Sequence, residues 1–106
     1  MSFPSLTIGD LVLPKALIQG GMGVGISLSG LASAVAAAGG LGVISAAGIG
    51  MNEPDFASNY IEANNRALAR EIRDARAATS GALGVNIMVA MANFADLVKT
   101  AIKEKI

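Results

Sequence analysis

A glycine-punctuated apolar stretch, residues 16–45, limits the possible folds more than any other part of the sequence. A short apolar run at residues 16–18 ends at Gln19 and a glycine cluster, and a second run at residues 41–44 follows a glycine pair. Between the runs, apolar residues recur at three- and four-residue steps, which indicates one face of a helix. Strand, glycine loop, helix and strand form a βαβ unit, and such units favour a parallel sheet covered by helices. The predicted helical face consists of Leu28, Leu31, Val35 and Ala38.

A hairpin and a long helix are predicted on either side of this unit. Residues 6–13 alternate loosely around Gly9-Asp10, which favours a β-hairpin, although an irregular arm fits almost as well. After the second strand, small residues form a loop, and Asn52 is placed to cap a helix that runs to about residue 79. Its predicted buried stripe comprises Phe56, Tyr60, Ala63, Ala67, Leu68, Ile72 and Ala75, and its polar face carries the pairs Glu62 with Arg66 and Arg70 with Asp74.

The last part of the sequence repeats the order of strand and helix. Residues 83–89 form a third apolar run that contains one polar residue, Asn86. Asn93 is then placed to cap an amphipathic helix that reaches Ile106. The predicted fold is therefore α/β, with an N-terminal hairpin followed by three β/α units in one domain of 106 residues.

Composition excludes several functional classes. Hydrophobic residues make up 53% of the sequence, which supports a packed interior rather than disorder. The formal net charge is zero, so long-range attraction to nucleic acid or to an anionic membrane surface is not expected. The sequence has no cysteine and no histidine. A disulfide framework, a thiolate zinc site and an imidazole base are therefore excluded, and no metal ligand or catalytic residue is assigned.

The uncharged stretch between Lys15 and Glu53 raises the question of a membrane span. A spanning helix needs about 20 consecutive apolar residues. Glycine pairs and single glycines interrupt this stretch, and each glycine costs about 1 kcal/mol of helix stability relative to alanine. The first residues also lack the basic and apolar regions of a signal peptide. We therefore expect no membrane segment and a cytoplasmic location.

Generic nucleotide-binding motifs are absent from the sequence. After Gly23 and Gly25, Leu28 stands where the dinucleotide fingerprint requires a third glycine. Gly25 and Gly30 have the spacing of a P-loop, but Leu31 stands where a lysine is required. No two carboxylates lie together in a loop at the end of a predicted strand, so paired-carboxylate catalysis has no support. Nucleotide hydrolysis and Rossmann-type NAD binding are therefore disfavoured.

Three motifs follow one another along the chain: IQGGM at residues 18–22, AGGLGVI at residues 38–44 and GVNIM at residues 84–88. Together they resemble the nitronate monooxygenase family, and they are similar to the related flavin-dependent enoyl-acyl-carrier-protein reductases. The resemblance extends from about Pro14 to Ile106. It implies a TIM (β/α)8 barrel that binds FMN at the carboxyl ends of its strands. Residues 1–106 would be an N-terminal fragment of that domain, with the hairpin and the first three β/α units.

The resemblance also indicates which residues face the cofactor. Gly21, Met22 and Gly23 leave the first strand, and the absence of glycine side chains would let their main chain approach the isoalloxazine ring of FMN. Asn86 is the second candidate, because its carboxamide can satisfy both donors and acceptors at a flavin edge. Two structural alternatives stay open: Met22 as a core side chain in an ordinary turn, and Asn86 bonded to neighbouring backbone.

The reaction implied by the resemblance is the oxidation of an alkyl nitronate by dioxygen with FMN as cofactor. The alternatives are FMN-dependent reduction of an enoyl thioester by NAD(P)H, and a structural module without catalysis. In the family, a histidine from the middle of the barrel and phosphate-binding loops late in the chain complete the site, and neither is present in these 106 residues. We therefore expect the isolated chain to be inactive, and either to self-associate through open strand edges or to be only partly ordered.

Overall fold

The computed structural model describes residues 2–106 and has a mixed α/β architecture. Strands β1 (Leu6–Ile8) and β2 (Leu11–Leu13) pair antiparallel in a sheet of their own, whereas β3 (Gly42–Ser45) and β4 (Leu83–Asn86) pair parallel in a second sheet. The predicted hairpin and the alternation of strands with helices are therefore confirmed. In chain order the elements are β1 (Leu6–Ile8), β2 (Leu11–Leu13), α1 (Ser29–Ala37), β3 (Gly42–Ser45), α2 (Tyr60–Ala78), β4 (Leu83–Asn86) and α3 (Phe94–Lys103).

The first predicted strand, residues 16–18, is reduced to a single bridge in which Ile18 lies opposite Leu41 in parallel orientation. The Leu41 N–H donates to the Leu17 carbonyl at 2.8 Å, and the Gln19 N–H donates to the Leu41 carbonyl at 3.1 Å. The main chain then leaves the sheet at the glycines that follow Gln19, so the prediction of a regular strand is wrong. The segment nevertheless lies beside β3, and β3 lies beside β4.

Helix α1 contacts β3 and the start of β4 through very small residues. Its buried residues are Ala32 and Ala36, while Leu31 is 37% exposed. A Cβ atom built on Gly42 would lie 1.8 Å from the Ala32 carbonyl oxygen, and one built on Gly81 would lie 2.4 Å from the Ala36 carbonyl oxygen. Only glycine permits so close an approach of two main chains. The predicted face of Leu28, Leu31, Val35 and Ala38 is therefore not the most buried one, because larger side chains would hold the helix away from the sheet.

Helix α2 begins at Tyr60, later than predicted, and its N-cap is Asn59 rather than Asn52. Residues 52–59 form turns, in which the Asn59 N–H donates to the Asp55 carbonyl at 2.8 Å. The predicted stripe is confirmed within the helix except at Tyr60, which is exposed. The confirmed buried residues of this stripe are Ala63, Ala67, Leu68, Ile72 and Ala75.

Ion pairs hold the turn segment against α2. Arg66 donates to Glu53 at 3.0 Å and also to Asp55. Arg70 donates to the same Glu53 oxygen at 3.1 Å. The hydrogen bond from Arg66 is the main cause that lowers the pKa of Glu53 and the pKa of Asp55 below their ordinary values. Within the described residues the arginines thus pair with the turn rather than with Glu62 and Asp74 of their own helix, and the predicted intrahelical pairs are wrong.

The third β/α unit completes the core. Strand β4 ends at Asn86, earlier than the predicted residue 89, and α3 begins directly after Asn93, as predicted. Glu104, just beyond α3, accepts hydrogen bonds from Arg73 of α2 at 2.7 and 2.9 Å, which joins the two helices at their surface. Beneath them, the large buried side chains of the core are Ile44, Leu68, Ile72 and Leu97.

The parallel strands keep open edges. Within residues 2–106 the sheet of β3 and β4 has two strands, with only the bridge at Ile18 beside it, and no barrel closes. An unpaired strand edge exposes main-chain donors and acceptors that can pair with another chain. The expected self-association through these edges stays a prediction.

The contact between α1 and β3 can be tested with two glycine variants. We predict that Gly42→Ala destabilises the fold by about 1–3 kcal/mol, because the new methyl group would overlap the Ala32 carbonyl and push the helix away. Gly30 lies within α1 with nothing within 4 Å of a built Cβ, so Gly30→Ala is the matched control. It should stabilise the fold by about 0.5–1 kcal/mol. Urea unfolding measures both changes, and equal stability of Gly42→Ala and the unsubstituted chain would contradict the described contact.

Candidate functional site

The candidate site lies where the carboxyl ends of the parallel segments meet. The glycine loop, defined as residues 20–26, follows the first segment and lies beside the ends of β3 and β4. A Cβ built on Gly21 would lie 2.6 Å from the Asn86 Cβ and 3.4 Å from a methyl carbon of Val43. The structure thus brings together Gly21 and Asn86, two residues that the sequence analysis assigned separately. Their contact is possible only because Gly21 has no side chain.

The glycine loop also packs on the loop that follows β3. A Cβ built on Gly23 would lie 2.9 Å from the Ala47 Cβ and 3.3 Å from the Ser45 Oγ. Between Gly21 and Gly23, the side chain of Met22 is 45% exposed. Met22 therefore does not serve as a core side chain, and this alternative is wrong. The two loops form one surface at the end of the sheet, and Met22 projects from it.

Asn86 is the last residue of β4 and its side chain is exposed. Its main-chain carbonyl accepts a hydrogen bond from the Ala46 N–H at 3.0 Å. Among residues 2–106, the carboxamide of Asn86 makes no hydrogen bond to backbone or to another side chain. The alternative of an amide bonded to neighbouring backbone is therefore not realised. A donor and an acceptor remain available to a ligand that lies against Gly21.

Gln19 has a structural role that the sequence analysis did not predict. Its Oε1 accepts a hydrogen bond from the Val43 N–H at 3.0 Å, and its Nε2 donates to the Val43 carbonyl at 3.0 Å. The same Nε2 lies 2.8 Å from the Gly20 carbonyl and 3.1 Å from the Ser27 Oγ. The sequence offers one signal for this role, which is that a polar residue ends an apolar run. A part-buried amide at such a position requires hydrogen-bond partners. The sequence does not indicate which partners these are.

Ser27 is the second residue that was not predicted. Its side chain is fully buried, and its Oγ accepts a hydrogen bond from the Met22 N–H at 2.9 Å. The Ser27 N–H donates to the Met22 carbonyl at 2.9 Å, and the Ser27 carbonyl accepts from the Ser45 N–H at 2.9 Å. Ser27 therefore bonds both main-chain groups of Met22 and ties them to the end of β3.

The N-terminus of α1 is occupied by a carboxylate from another helix. The Ser29 N–H donates to the Oε1 of Glu71, a residue of α2, at 3.0 Å. The first turn of α1 contains no acidic residue of its own, so Glu71 supplies the negative charge that a helix N-terminus favours. Helix N-termini are common phosphate sites because their N–H groups are free. Here the Ser29 N–H is bonded to Glu71, so a phosphate at this N–H would have to displace a carboxylate.

Other classes of site find no support in the part of the chain that the structure describes. No group of three or more potential metal-ligating side chains occurs there, and no helix there is long and apolar enough to cross a membrane. A groove of about 610 Å³ lies beside the amino ends of β3 and β4, between the hairpin and the ends of α1 and α2. Arg76, its charged lining residue, donates to the Gly81 carbonyl at 2.8 Å. The carboxamide of Asn86 lies at the opposite end of the sheet, at the carboxyl end of β4.

Comparison with protein families supports the resemblance inferred from the motifs. A sequence model described as nitronate monooxygenase matches residues 7–106, which include the glycine loop and Asn86. The chain belongs to the nitronate monooxygenase family. Nitronate monooxygenases are FMN-dependent oxidoreductases. No individually curated protein matches the chain.

The contact between Gly21 and Asn86 gives a prediction that can be tested without a ligand. Gly21→Ala would place a methyl group 2.6 Å from the Asn86 Cβ, so we expect the loop or the Asn86 side chain to move. The loss of stability should be about 1–3 kcal/mol. Gly20→Ala is the control, because a Cβ at Gly20 meets nothing within 4 Å. The NMR signals of the Asn86 carboxamide should shift in Gly21→Ala and stay in place in Gly20→Ala. Unchanged signals in both variants would show that Gly21 and Asn86 are not in contact.

Proposed function

We propose that this chain forms the flavin-ring side of the active site of an oxidoreductase that oxidises alkyl nitronates with dioxygen. The observation that carries the proposal is the contact of Gly21 with Asn86 at the carboxyl end of the sheet, in a chain of the nitronate monooxygenase family. Ligands of parallel α/β folds bind at this end of the strands. Gly21 and Asn86, which come from two separate motifs, therefore lie on one surface at the end of the strands where such ligands bind.

The architecture supports an assignment to the first three β/α units of a TIM barrel. The segment at Ile18, β3 and β4 follow one another in parallel orientation, and α1 and α2 alternate with them. In such a barrel each strand has a neighbour on both sides. The open edges of this sheet are the positions at which further strands would pair.

The residues of this chain would bind and orient the cofactor rather than move protons. The main chain of Gly21, Met22 and Gly23 would lie along the isoalloxazine ring, where the glycines allow close approach. The carboxamide of Asn86 would donate to and accept from polar atoms at the ring edge. Electron transfer from the nitronate to dioxygen is the chemistry that bound FMN supplies. The chain contains no histidine and is assigned no catalytic residue.

The same surface would suit a flavin enzyme that reduces an enoyl thioester with NAD(P)H. In both reactions FMN performs the redox chemistry, so the ring-binding residues do not discriminate between them. Assays of a complete barrel that contains this segment separate the two activities. Oxygen consumption with an alkyl nitronate supports the proposal, and NAD(P)H oxidation that depends on an enoyl thioester supports the reductase instead. A protein that retains no flavin absorbance would support a structural module.

We predict that the isolated 106-residue chain binds FMN weakly. The surface around Asn86 would offer contacts to the ring, whereas a phosphate at the first N–H of α1 would compete with the Glu71 carboxylate. A titration that follows flavin fluorescence should show little change at micromolar protein concentration. Tight, stoichiometric binding would contradict the view that the phosphate is bound outside this chain.

Asn86 can be tested in a complete barrel that contains this segment. We predict that Asn86→Leu weakens FMN retention by about 1–3 kcal/mol, because flavin polar atoms lose their partner while side-chain size is nearly unchanged. The control is Asn65→Leu on α2, a residue outside the candidate site whose Oδ1 has no hydrogen-bond partner within residues 2–106. Flavin absorbance after dialysis measures the retained cofactor. Equal flavin content in the two variants would show that Asn86 has a structural role and does not bind the flavin.

A further inference from the structure

The carboxamide of Gln19 replaces a peptide group of the sheet. The ladder beside β3 runs from the Leu41 N–H to the Leu17 carbonyl and from the Gln19 N–H to the Leu41 carbonyl. The next rung involves Val43, whose N–H and carbonyl both bond to the side chain of Gln19 at 3.0 Å. One donor and one acceptor of the carboxamide thus satisfy both groups of Val43. The main chain is thereby free to leave the sheet without leaving Val43 unpaired.

The same carboxamide connects the sheet to the main chain of Met22. Gln19 Nε2 lies 3.1 Å from the Ser27 Oγ, and this Oγ accepts from the Met22 N–H at 2.9 Å. The Ser27 N–H bonds the Met22 carbonyl at 2.9 Å. Met22 is therefore held at both of its main-chain groups, while its side chain is 45% exposed at the candidate surface. Ser27 itself is fully buried, so it acts on this surface only through Met22.

We propose that Gln19 and Ser27 are positioning residues that fix the main chain of Met22 at the cofactor surface. The hydrogen bonds run from Val43 of β3 through Gln19 and Ser27 to Met22. Neither residue is needed to contact the cofactor. The inference rests on the proposed function for the statement that the ligand at this surface is a flavin. The restraint of Met22 rests on the hydrogen bonds alone.

The variants that test this proposal follow from the hydrogen-bonding groups of the Gln19 and Ser27 side chains. Gln19→Glu keeps an acceptor for the Val43 N–H, but an ionised carboxylate cannot donate to the Val43 carbonyl or to Ser27. Ser27→Ala removes the acceptor of the Met22 N–H with little change in volume. Ser33→Ala is the matched control, because the Ser33 Oγ bonds the Gly30 carbonyl at 3.2 Å within α1 and lies outside the network.

The test is amide hydrogen exchange in the 106-residue chain, measured by NMR. We expect the Met22 amide to exchange about tenfold faster in Gln19→Glu and in Ser27→Ala, as the loss of a net hydrogen bond implies. Exchange at Ala67 in the core of α2 reports global stability, and the lost hydrogen bond should speed it by no more than the same factor. In Ser27→Ala the Met22 N–H also loses its acceptor in the folded chain, so its exchange should rise more than that of Ala67, whereas Ser33→Ala should leave the Met22 amide unchanged. A Met22 amide that is unprotected in the unsubstituted chain, or equally protected in Ser27→Ala, would overturn the inference.

A separate measurement distinguishes failure of the positioning from failure of the flavin assignment. FMN retention is compared between Ser27→Ala and Ser33→Ala in a complete barrel that contains this segment. Faster Met22 exchange together with weaker FMN retention in Ser27→Ala supports both proposals. Faster Met22 exchange with equal FMN retention supports the positioning of Met22 and overturns the assignment of this loop to the flavin.

Discussion

The hydrogen bonds between Gln19 and Val43 are the interaction on which the arrangement of the site depends. Buried main-chain groups require partners, so a strand can end beside a continuing neighbour only if something else satisfies that neighbour. The Gln19 carboxamide satisfies both groups of Val43 at 3.0 Å. The chain can then turn away directly after Gln19, and the glycine loop crosses the end of the sheet to reach Asn86 on β4. A longer first strand would carry these glycines along the sheet edge instead.

A second constraint is the small distance between helix and sheet. Gly42 and Gly81 bring strand-side main chain against Ala32 and Ala36 of α1, so α1 contributes little side-chain volume to the core. The burial of larger side chains is left to the other two helices and the sheet. These side chains are Ile44, Leu68, Ile72 and Leu97. The alanine-rich composition of α1 thus reflects close packing rather than helix propensity alone, since alanine suits both.

The sequence predicts features that depend on local periodicity and fails where distant contacts decide. The buried stripe of α2 could be predicted because it follows a helical period over many residues. The buried face of α1 could not be predicted in this way. Alanine rather than Leu31 is buried against the sheet because Gly42 lets the helix main chain approach the strand closely. Asn52 was a plausible cap, but Arg66 binds the acidic turn that follows it, and the helix begins only at Tyr60.

The candidate site shows the same division. The motifs identify Gly21 and Asn86, but their contact is a property of the parallel arrangement of three segments, which no single motif contains. Ser27 has no sequence signal, since a serine before a helix predicts a cap rather than a buried acceptor for Met22. Sequence reasoning can therefore name candidate residues for a cofactor site. The residues that hold those in place require the tertiary structure.

The position of Glu71 adds a constraint on how a flavin could lie on this surface. Its carboxylate accepts a hydrogen bond from the Ser29 N–H in the first turn of α1, next to the end of the glycine loop, so a phosphate placed at this N–H would compete with a carboxylate. The apolar Met22 and the uncharged Asn86 suit a neutral ring better than a dianion. In TIM barrels, phosphate groups are frequently bound by the loops after the last strands. In the proposed site, the flavin ring would therefore lie against the glycine loop, and its phosphate would be bound away from α1.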